Sequence, residues 1–285
     1  MHTTIRVPAS TSNLGAGFDC LGLALDLWLE ARLIEGDGPA IYKGTLAGLS
    51  PDRDLIAQTL RQAGLAGHWR LEVRSEIPVG KGLGSSGAAV VAGLALSELA
   101  RGAKLDPDAL LEPATAIEGH PDNVGPAIYG GLFLASPGGR GLTLSPALGV
   151  ALAVPDASLD THAARARLPR NVTRDVAVAQ AGRAAALLHG LTHDRPELIA
   201  YGMDDRLAVP YRRDLIPGFD AAVSAGRAAG AHGVTISGAG SSLLGIGPSH
   251  LAAQIANAIA QALTAAGNRA AAMTPKVAMA GLEVM

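Results

Sequence analysis

Residues 80–87 read GKGLGSSG and run directly into AAVVAGLALSELA, so four glycines and two serines stand in front of a long Ala/Leu/Val run. A helix start leaves several backbone N–H groups without partners, and the peptide dipoles add to a positive potential there. Glycines lacking Cβ let an anion reach that backbone. The stretch therefore reads as a phosphate loop opening a helix over residues 85–100. The helix is apolar nearly all round, hence buried. Ser85 and Ser86 add hydroxyls suited to capping the helix or ligating Mg²⁺. A glycine-rich turn with a serine cap and nothing bound is the plain structural alternative.

Two familiar phosphate sites fail on context. GLGSSG matches G-x-G-x-x-G, but the dinucleotide fingerprint needs a buried strand before it and another, carrying an acid, after the helix. Here WRLEVRS (residues 69–75) alternates apolar and charged residues as a half-exposed strand does, Pro78 intervenes, and LDPDALLEP reads as helix. The ATPase P-loop wants Ser or Thr directly after Gly-Lys, and Gly82 stands there.

Working outward, strands are expected at residues 4–7, stopped by Pro8, at 21–33, at 150–155, and at 233–237 and 242–247 joined by a glycine turn. Helices are expected at 54–66, 107–118, 172–190, 217–230 and 251–266. EGHPDNVGPAIYGGLFLAS (residues 118–136) reads as a polar turn followed by an apolar strand, and 273–281 as a last strand. Helices and strands mix without strict βαβ repetition, which points to α+β. A lobe boundary is placed near residue 149, giving 1–149 and 150–285.

The 285 residues, 48% hydrophobic and 17% charged, suffice for a large core. A net charge of −2 leaves no basic footprint for nucleic acid. Cys20, the single cysteine, rules out an internal disulfide and fits a reducing compartment. MHTTIRVPAS has no apolar signal region, and the most apolar run, residues 88–96, is about half a membrane span. A soluble cytoplasmic protein is expected, with no membrane and no nucleic acid partner.

Two further stretches belong with the glycine loop. SGAGSS (residues 237–242) is an ordinary hairpin turn by itself, or a second glycine loop closing over the same phosphates. PASTSNLGAGFD (residues 8–19) is rich in small polar residues and ends in an acid. In order and over nearly the whole chain, the three resemble the GHMP kinase superfamily of small-molecule kinases. PVGKGLGSSGA is similar to its phosphate loop and SGAGSSLLGI to its C-terminal glycine motif. PASTSNLGAGFDCLGLALDL, EGHPDNVGPAIYGGL, the Thr161 and Arg165 pair before LPR, and DRLAVPYRRDLIPGFD resemble segments of the homoserine kinase family.

The resemblance implies a two-lobed α+β protein, with an N-terminal ATP-binding lobe like ribosomal protein S5 domain 2 and a ferredoxin-like C-terminal lobe. It implies phosphoryl transfer from ATP to the side-chain hydroxyl of L-homoserine, the step before threonine synthase, by a homodimer. ATP phosphates would lie on Pro78, Val79, Gly80, Lys81, Gly82, Leu83, Gly84, Ser85, Ser86, Gly87 and Ala88, with Gly238 and Gly240 from the second loop. Ser86 and Glu118 are the expected Mg²⁺ ligands, Glu112 being the rival carboxylate. Arg165 and Arg212 match the two arginines that fork the substrate carboxylate, a geometry lysine cannot supply. Arg167 and Arg213 lie beside them in sequence. Asn13, Asp19 and Asp122 match positions that accept the ammonium and hydroxyl, although Asn13 is also good turn chemistry. Thr161 either positions substrate or caps its helix.

Sister kinases carry a proposed catalytic aspartate where Asn123 stands. An amide cannot take a full proton, so no protein base is expected. Asn123 would orient the hydroxyl and Lys81 would add positive charge near the phosphates. His120 would order its turn. Two departures from the family pattern are Asp54 where Asn is usual, near the adenine, and Gln180 where Asn is common. Two competing readings remain: another GHMP kinase acting on mevalonate or an aminoalcohol, and a non-catalytic ligand-binding protein on the same fold.

Overall fold

The computed structural model describes residues 4–65 and 67–285. The expected helix end at Ala66 and the first three residues of the N-terminal stretch lie outside them. Two sheets carry the fold. The first has the order β10-β1-β2-β4-β3, built from β1 (Thr4–Asn13), β2 (Gly17–Glu35), β3 (Ile41–Gly44), β4 (Trp69–Ser75) and β10 (Glu283–Val284), with β5 (Leu132–Leu134) also pairing with β2. The second has the order β7-β8-β6-β9, from β6 (Leu148–Pro155), β7 (Gly233–Ile236), β8 (Leu243–Pro248) and β9 (Ala270–Met273). All pairs are antiparallel except β3 with β4. Pro8 does not end β1. The β1–β2 register shifts between Pro8 and Ala9, a bulge that tolerates the missing N–H.

Helices α1 (Leu55–Gln62), α2 (Ser85–Ala100), α3 (Pro107–Glu118) and α4 (Pro121–Tyr129) belong with the first sheet. Helices α5 (Thr161–Ala166), α6 (Arg174–His193), α7 (Pro196–Met203), α8 (Val209–Arg212), α9 (Phe219–Ala228) and α10 (Ala252–Ala265) follow β6. Strand period 2 sorts the second sheet's side chains onto two faces. Val150, Leu152, Val154, Leu244 and Ile246 join the core shared with β1, β2 and α2. Ala151, Ala153, Leu243, Val234 and Ile236 pack with Ile255 and Ile259 of α10 and Phe219 of α9 in a second cluster. One face of the second sheet thus welds the halves together.

Besides Pro8, the structure departs from the sequence reading in two further places. Residues 121–129, expected as a turn, are α4, with Pro121 at its first position where a missing N–H does no harm. Residues 273–281, expected as a strand, are mostly irregular: β9 ends at Met273 and β10 pairs with β1 of the first sheet. Pro275 interrupts the run, and its backbone groups pair singly, Asp26 N–H with Lys276 O at 2.9 Å and Gly131 N–H with Ala278 O at 2.8 Å. The division at 149/150 falls inside β6, and the chain beyond Met273 crosses back to the first sheet. Strand β3 and helices α5, α7 and α8 are too short to show a period in sequence. Among the described residues no helix is long and apolar enough to cross a membrane.

Candidate active site

A cleft between the two sheets gathers the three polar stretches. Gly82 and Gly84 have φ of +72° and +69°, a region L side chains rarely adopt. A Cβ on Gly82 would lie 2.1 Å from Ser237 O, and one on Gly84 2.1 Å from Ser10 Oγ. Both glycines are therefore fixed by the turn and by close approach. Gly84 caps α2 without a side-chain bond, so neither Ser85 nor Ser86 is the N-cap and the start of α2 opens onto the cleft. Val79 to Ser86 line that cleft, whereas Pro78, Gly87, Ala88 and Gly240 do not. Gly87 instead lets α2 approach Asn123, whose Cβ would be 3.1 Å from an added methyl.

The second glycine loop sits behind the first. Ser237 Oγ donates to Gly82 O at 2.7 Å and shares a 2.8 Å bond with Thr11 Oγ1. Asn13 Nδ2 donates to Gly238 O at 2.9 Å, and Gly238 N–H to Ser12 O at 3.1 Å. Gly238 reaches the cleft, but the loop's hydroxyls bolt residues 8–19 and 80–84 together. Asn13 is a structural turn residue as well, at φ +67°, its Oδ1 accepting from Asp19 N–H at 2.9 Å.

Asn123 is buried near the start of α4. Its Oδ1 accepts from Ser10 Oγ at 2.9 Å and its Nδ2 donates to Ser12 Oγ at 3.1 Å. Two serines of β1 thereby fix the amide's orientation. Sequence reasoning missed both, although the alternation of Ser10 and Ser12 placed them on one strand face. Glu118, at the end of α3, accepts from Ser86 Oγ at 2.6 Å. Burial pushes its carboxyl above the usual range, against the Ser86 bond and the His120 charge. No ion pair reaches Glu118 among the described residues. Glu112 lies elsewhere, in a groove with Tyr129 and Arg140.

His120 Nδ1 and Asp122 Oδ1 are 2.5 Å apart, with Asp122 fully buried. Burial disfavours the imidazolium, yet the bond and charge of Asp122, helped by Glu118, outweigh it and raise the pKa. Lys81 lines the cleft, but its ammonium donates to Asp156 O at 2.5 Å and burial lowers its pKa. Thr161 lines the cleft without capping α5. The cap is Asp160, which accepts from Ala163 N–H at 2.7 Å.

Arg165 and Arg212 both stand against the ring of Phe18, with guanidinium carbons 5.6 and 5.4 Å from its centroid. Arg165 makes two 2.8 Å bonds to the two carboxylate oxygens of Asp19, which raise its pKa. Arg212 is 3% exposed and meets only carbonyls, Ala164 O at 3.2 Å and Gly238 O at 3.4 Å. Burial, then the charge of Arg165, lowers its pKa. No carboxylate pairs with it among the described residues. Arg167 and Arg213 are exposed, and Arg213 is bonded to Asp220 at 2.6 Å.

At the far end the cleft is apolar, with Leu46, Leu49, Leu55 and Val79 beside Asp54. Asp54 is not free for a ligand. Its Oδ1 caps α1, accepting from Ile56 N–H at 2.9 Å and Ala57 N–H at 3.1 Å, and its Oδ2 accepts from the Tyr42 hydroxyl. Gln180 likewise is structural, donating to Ala16 O and to Asp205 at 3.1 and 2.6 Å.

An apolar pocket, a glycine loop at a helix start, a serine–carboxylate pair and an amide beside the loop together define a small-molecule kinase. Residues 53–131 match the model of the GHMP kinases N terminal domain and residues 184–265 that of GHMP kinases C terminal. The homoserine kinase of Synechocystis sp. is 38% identical over 93% of this chain and 92% of its own. That of Moorella thermoacetica is 40% identical over 84% of this chain and 86% of its own. The crystal structure of homoserine kinase from Cytophaga hutchinsonii superposes with a TM-score of 0.84 at 31% identity, over 100% of this chain and 97% of that one. A Leishmania major (L. major) mevalonate kinase, 16% identical with a TM-score of 0.69 over 95% of this chain and 94% of its own, shares the fold. The chain belongs to the GHMP kinases and, within them, to the homoserine kinase family.

Proposed function

We propose that this protein transfers the γ-phosphoryl group of ATP to the side-chain hydroxyl of L-homoserine. The observation that carries the substrate half is Arg212, a buried guanidinium with no carboxylate partner among the described residues, standing with Arg165 against the Phe18 ring. A buried cation lacking a counter-ion favours an anion, and a fork favours a carboxylate. An aminoalcohol would leave Arg212 unmatched, and mevalonate would leave Asp19 and Asp122 without an ammonium.

Adenine fits the apolar end, and the phosphates fit the backbone N–H groups of residues 80–86 at the start of α2. Ser86 and Glu118 are the residues to hold Mg²⁺. They present hard oxygens 2.6 Å apart, and Glu118 has no ion-pair partner among the described residues. Held by Ser86 and Glu118, Mg²⁺ would supply positive charge beside the phosphates. Asn123, its amide fixed by Ser10 and Ser12, orients the substrate hydroxyl. The hydroxyl oxygen forms the new bond to the γ-phosphorus as the bond to the ADP oxygen breaks, and its proton passes to a γ-phosphate oxygen. Positioning and charge neutralisation carry such a transfer, so no protein base is needed. The resemblance extends the reading to a cytoplasmic homodimer, which light scattering of the purified protein tests.

The test is ADP release from Mg·ATP with L-homoserine, D-homoserine, L-serine, mevalonate and 4-amino-1-butanol. Saturable turnover on L-homoserine alone is expected. Turnover on mevalonate or the aminoalcohol instead would discard the substrate pocket while keeping the phosphate site.

A further inference from the structure

The two groups assigned to opposite charges of the substrate are bound to each other. Both oxygens of Asp19 are taken by both terminal nitrogens of Arg165, each at 2.8 Å. The pair is neither a surface accident nor a buried strut: its side chains are 32% and 39% exposed, at the wall of the cleft. Asp19 is held in place by its backbone, at φ +54°, with its N–H on Asn13 Oδ1 at 2.9 Å. A non-glycine residue in that region is there because its surroundings impose it. Arg165 is held from the other side by the Phe18 face. Arg212, against the same ring, has no carboxylate partner among the described residues.

We propose that the Asp19–Arg165 pair is an internal stand-in for the substrate's own zwitterion, and that it acts as a charge gate selecting amino acids over singly charged alcohols. This rests on the homoserine kinase reading given above. An α-amino acid brings one ammonium and one carboxylate. On binding, its ammonium takes Asp19 and its carboxylate takes Arg165 and the waiting Arg212, so every charge released by the opening pair finds a new partner. A ligand carrying only a carboxylate captures Arg165 but strands Asp19. A ligand carrying only an ammonium captures Asp19 and strands Arg165 beside Arg212, two like charges about one aromatic ring. A charge left without its partner in a partly dehydrated site is the costly outcome. Selectivity thus comes from what a wrong ligand leaves unpaired, not only from what a right ligand touches.

The experiment compares L-homoserine with its two half-charged analogues, 4-hydroxybutanoate and 3-aminopropan-1-ol. Dissociation constants come from titration calorimetry with the full chain, alongside ADP release with L-homoserine. The proteins are wild type, Asp19→Asn and Arg165→Gln. Both analogues bind wild type far more weakly than L-homoserine. In Asp19→Asn, Arg165 is no longer held, so 4-hydroxybutanoate binds about fivefold more tightly than to wild type, the scale of a half-exposed ion pair, while L-homoserine binds more weakly. Arg165→Gln shows the mirror image, tighter 3-aminopropan-1-ol and weaker L-homoserine. A gain of affinity on deleting a binding residue is something a purely structural pair would not give. If both variants, folded by their thermal melts, bind the analogues as weakly as wild type or worse, the gate is overturned. If wild type turns over no L-homoserine, the underlying reading fails, and the gate with it.

Discussion

Arg212 meets carbonyl oxygens, an aromatic face and no acid. Replacing it by lysine keeps the charge but loses the planar fork. Arg212→Lys raises the KM for homoserine at least about tenfold, the worth of a charge-assisted bond, and leaves the KM for ATP nearly unchanged. Steady-state kinetics with each substrate varied would show this, and an equal rise in both would refute the carboxylate contact. Glu118→Gln lowers kcat by about 100-fold or more, the order seen when an electrostatic stabiliser is lost, while Glu112→Gln is near wild type. The reverse result would transfer the metal site to Glu112. Much of this was legible in sequence because the cleft is assembled from contiguous motifs. The Asp19–Arg165 pair was not, since its members are 146 positions apart and each was matched to a substrate charge rather than to the other. Phe18 went unnoticed for the same reason: an aromatic that meets two arginines becomes visible only once the chain has folded.

At the scale of elements, Glu72 ties three strands. It accepts from Lys43 of β3 at 2.7 Å and from Arg32 of β2 at 2.9 and 2.5 Å. The Lys43 and Arg32 bonds hold its carboxyl down at about 2. A depressed pKa contributes stability that is complete above the unfolded carboxyl value, about 4.3, and is lost as pH falls through 2. Glu72→Gln therefore narrows the difference between Tm at pH 6 and at pH 3, and thermal melts across that range measure it. An unchanged slope would show that solvent screens the cluster completely. β4 and α10 follow their periods, α2 shows itself by its glycine start and its long apolar run, and all three are where the sequence reading put them. α4 is not, because Gly125 and Pro126 look like breakers. Each in fact has a tertiary purpose. An added Cβ at Gly125 would sit 2.3 Å from the Phe133 ring, and one at Gly22 1.8 Å from Asp122 O, the carbonyl that Pro126 leaves without a helix donor. Burial on nearly every side holds this helix, and burial has no local signature.

For the whole molecule, the return of the chain to the first sheet is decisive. Ile5 and Arg6 of β1 pair with Val284 and Glu283, and Met285 N–H donates to Thr4 O at 2.8 Å. A variant ending at Gly281 loses these bonds and the Arg6–Glu283 ion pair, but keeps β1 against β2. Its Tm falls by about 4–8 °C, the scale of a loss of about 2 kcal/mol in a domain of this class, with homoserine turnover retained at 25 °C. Calorimetry and ADP release check the two halves separately. No loss of Tm would mean that β10 is ornamental. The return was unreadable from sequence because a two-residue strand carries no period and its partner lies nearly the full length of the chain away.

That closure orders events during synthesis. Of the described strands the earliest made, β1, is an inner strand of the finished sheet, and one of its neighbours, β10, is made after every described helix. Nascent chains usually complete their domains in the order they are made, but here the earlier half stays open along one edge while the later half, β6 to β9, is assembled. Serines 10 and 12, which set Asn123, sit on that waiting strand. The Asn123 amide thus gains a fully supported strand beside it only when residues 283–285 have been made, and an interrupted chain would present a bare, pairing-competent edge to its neighbours.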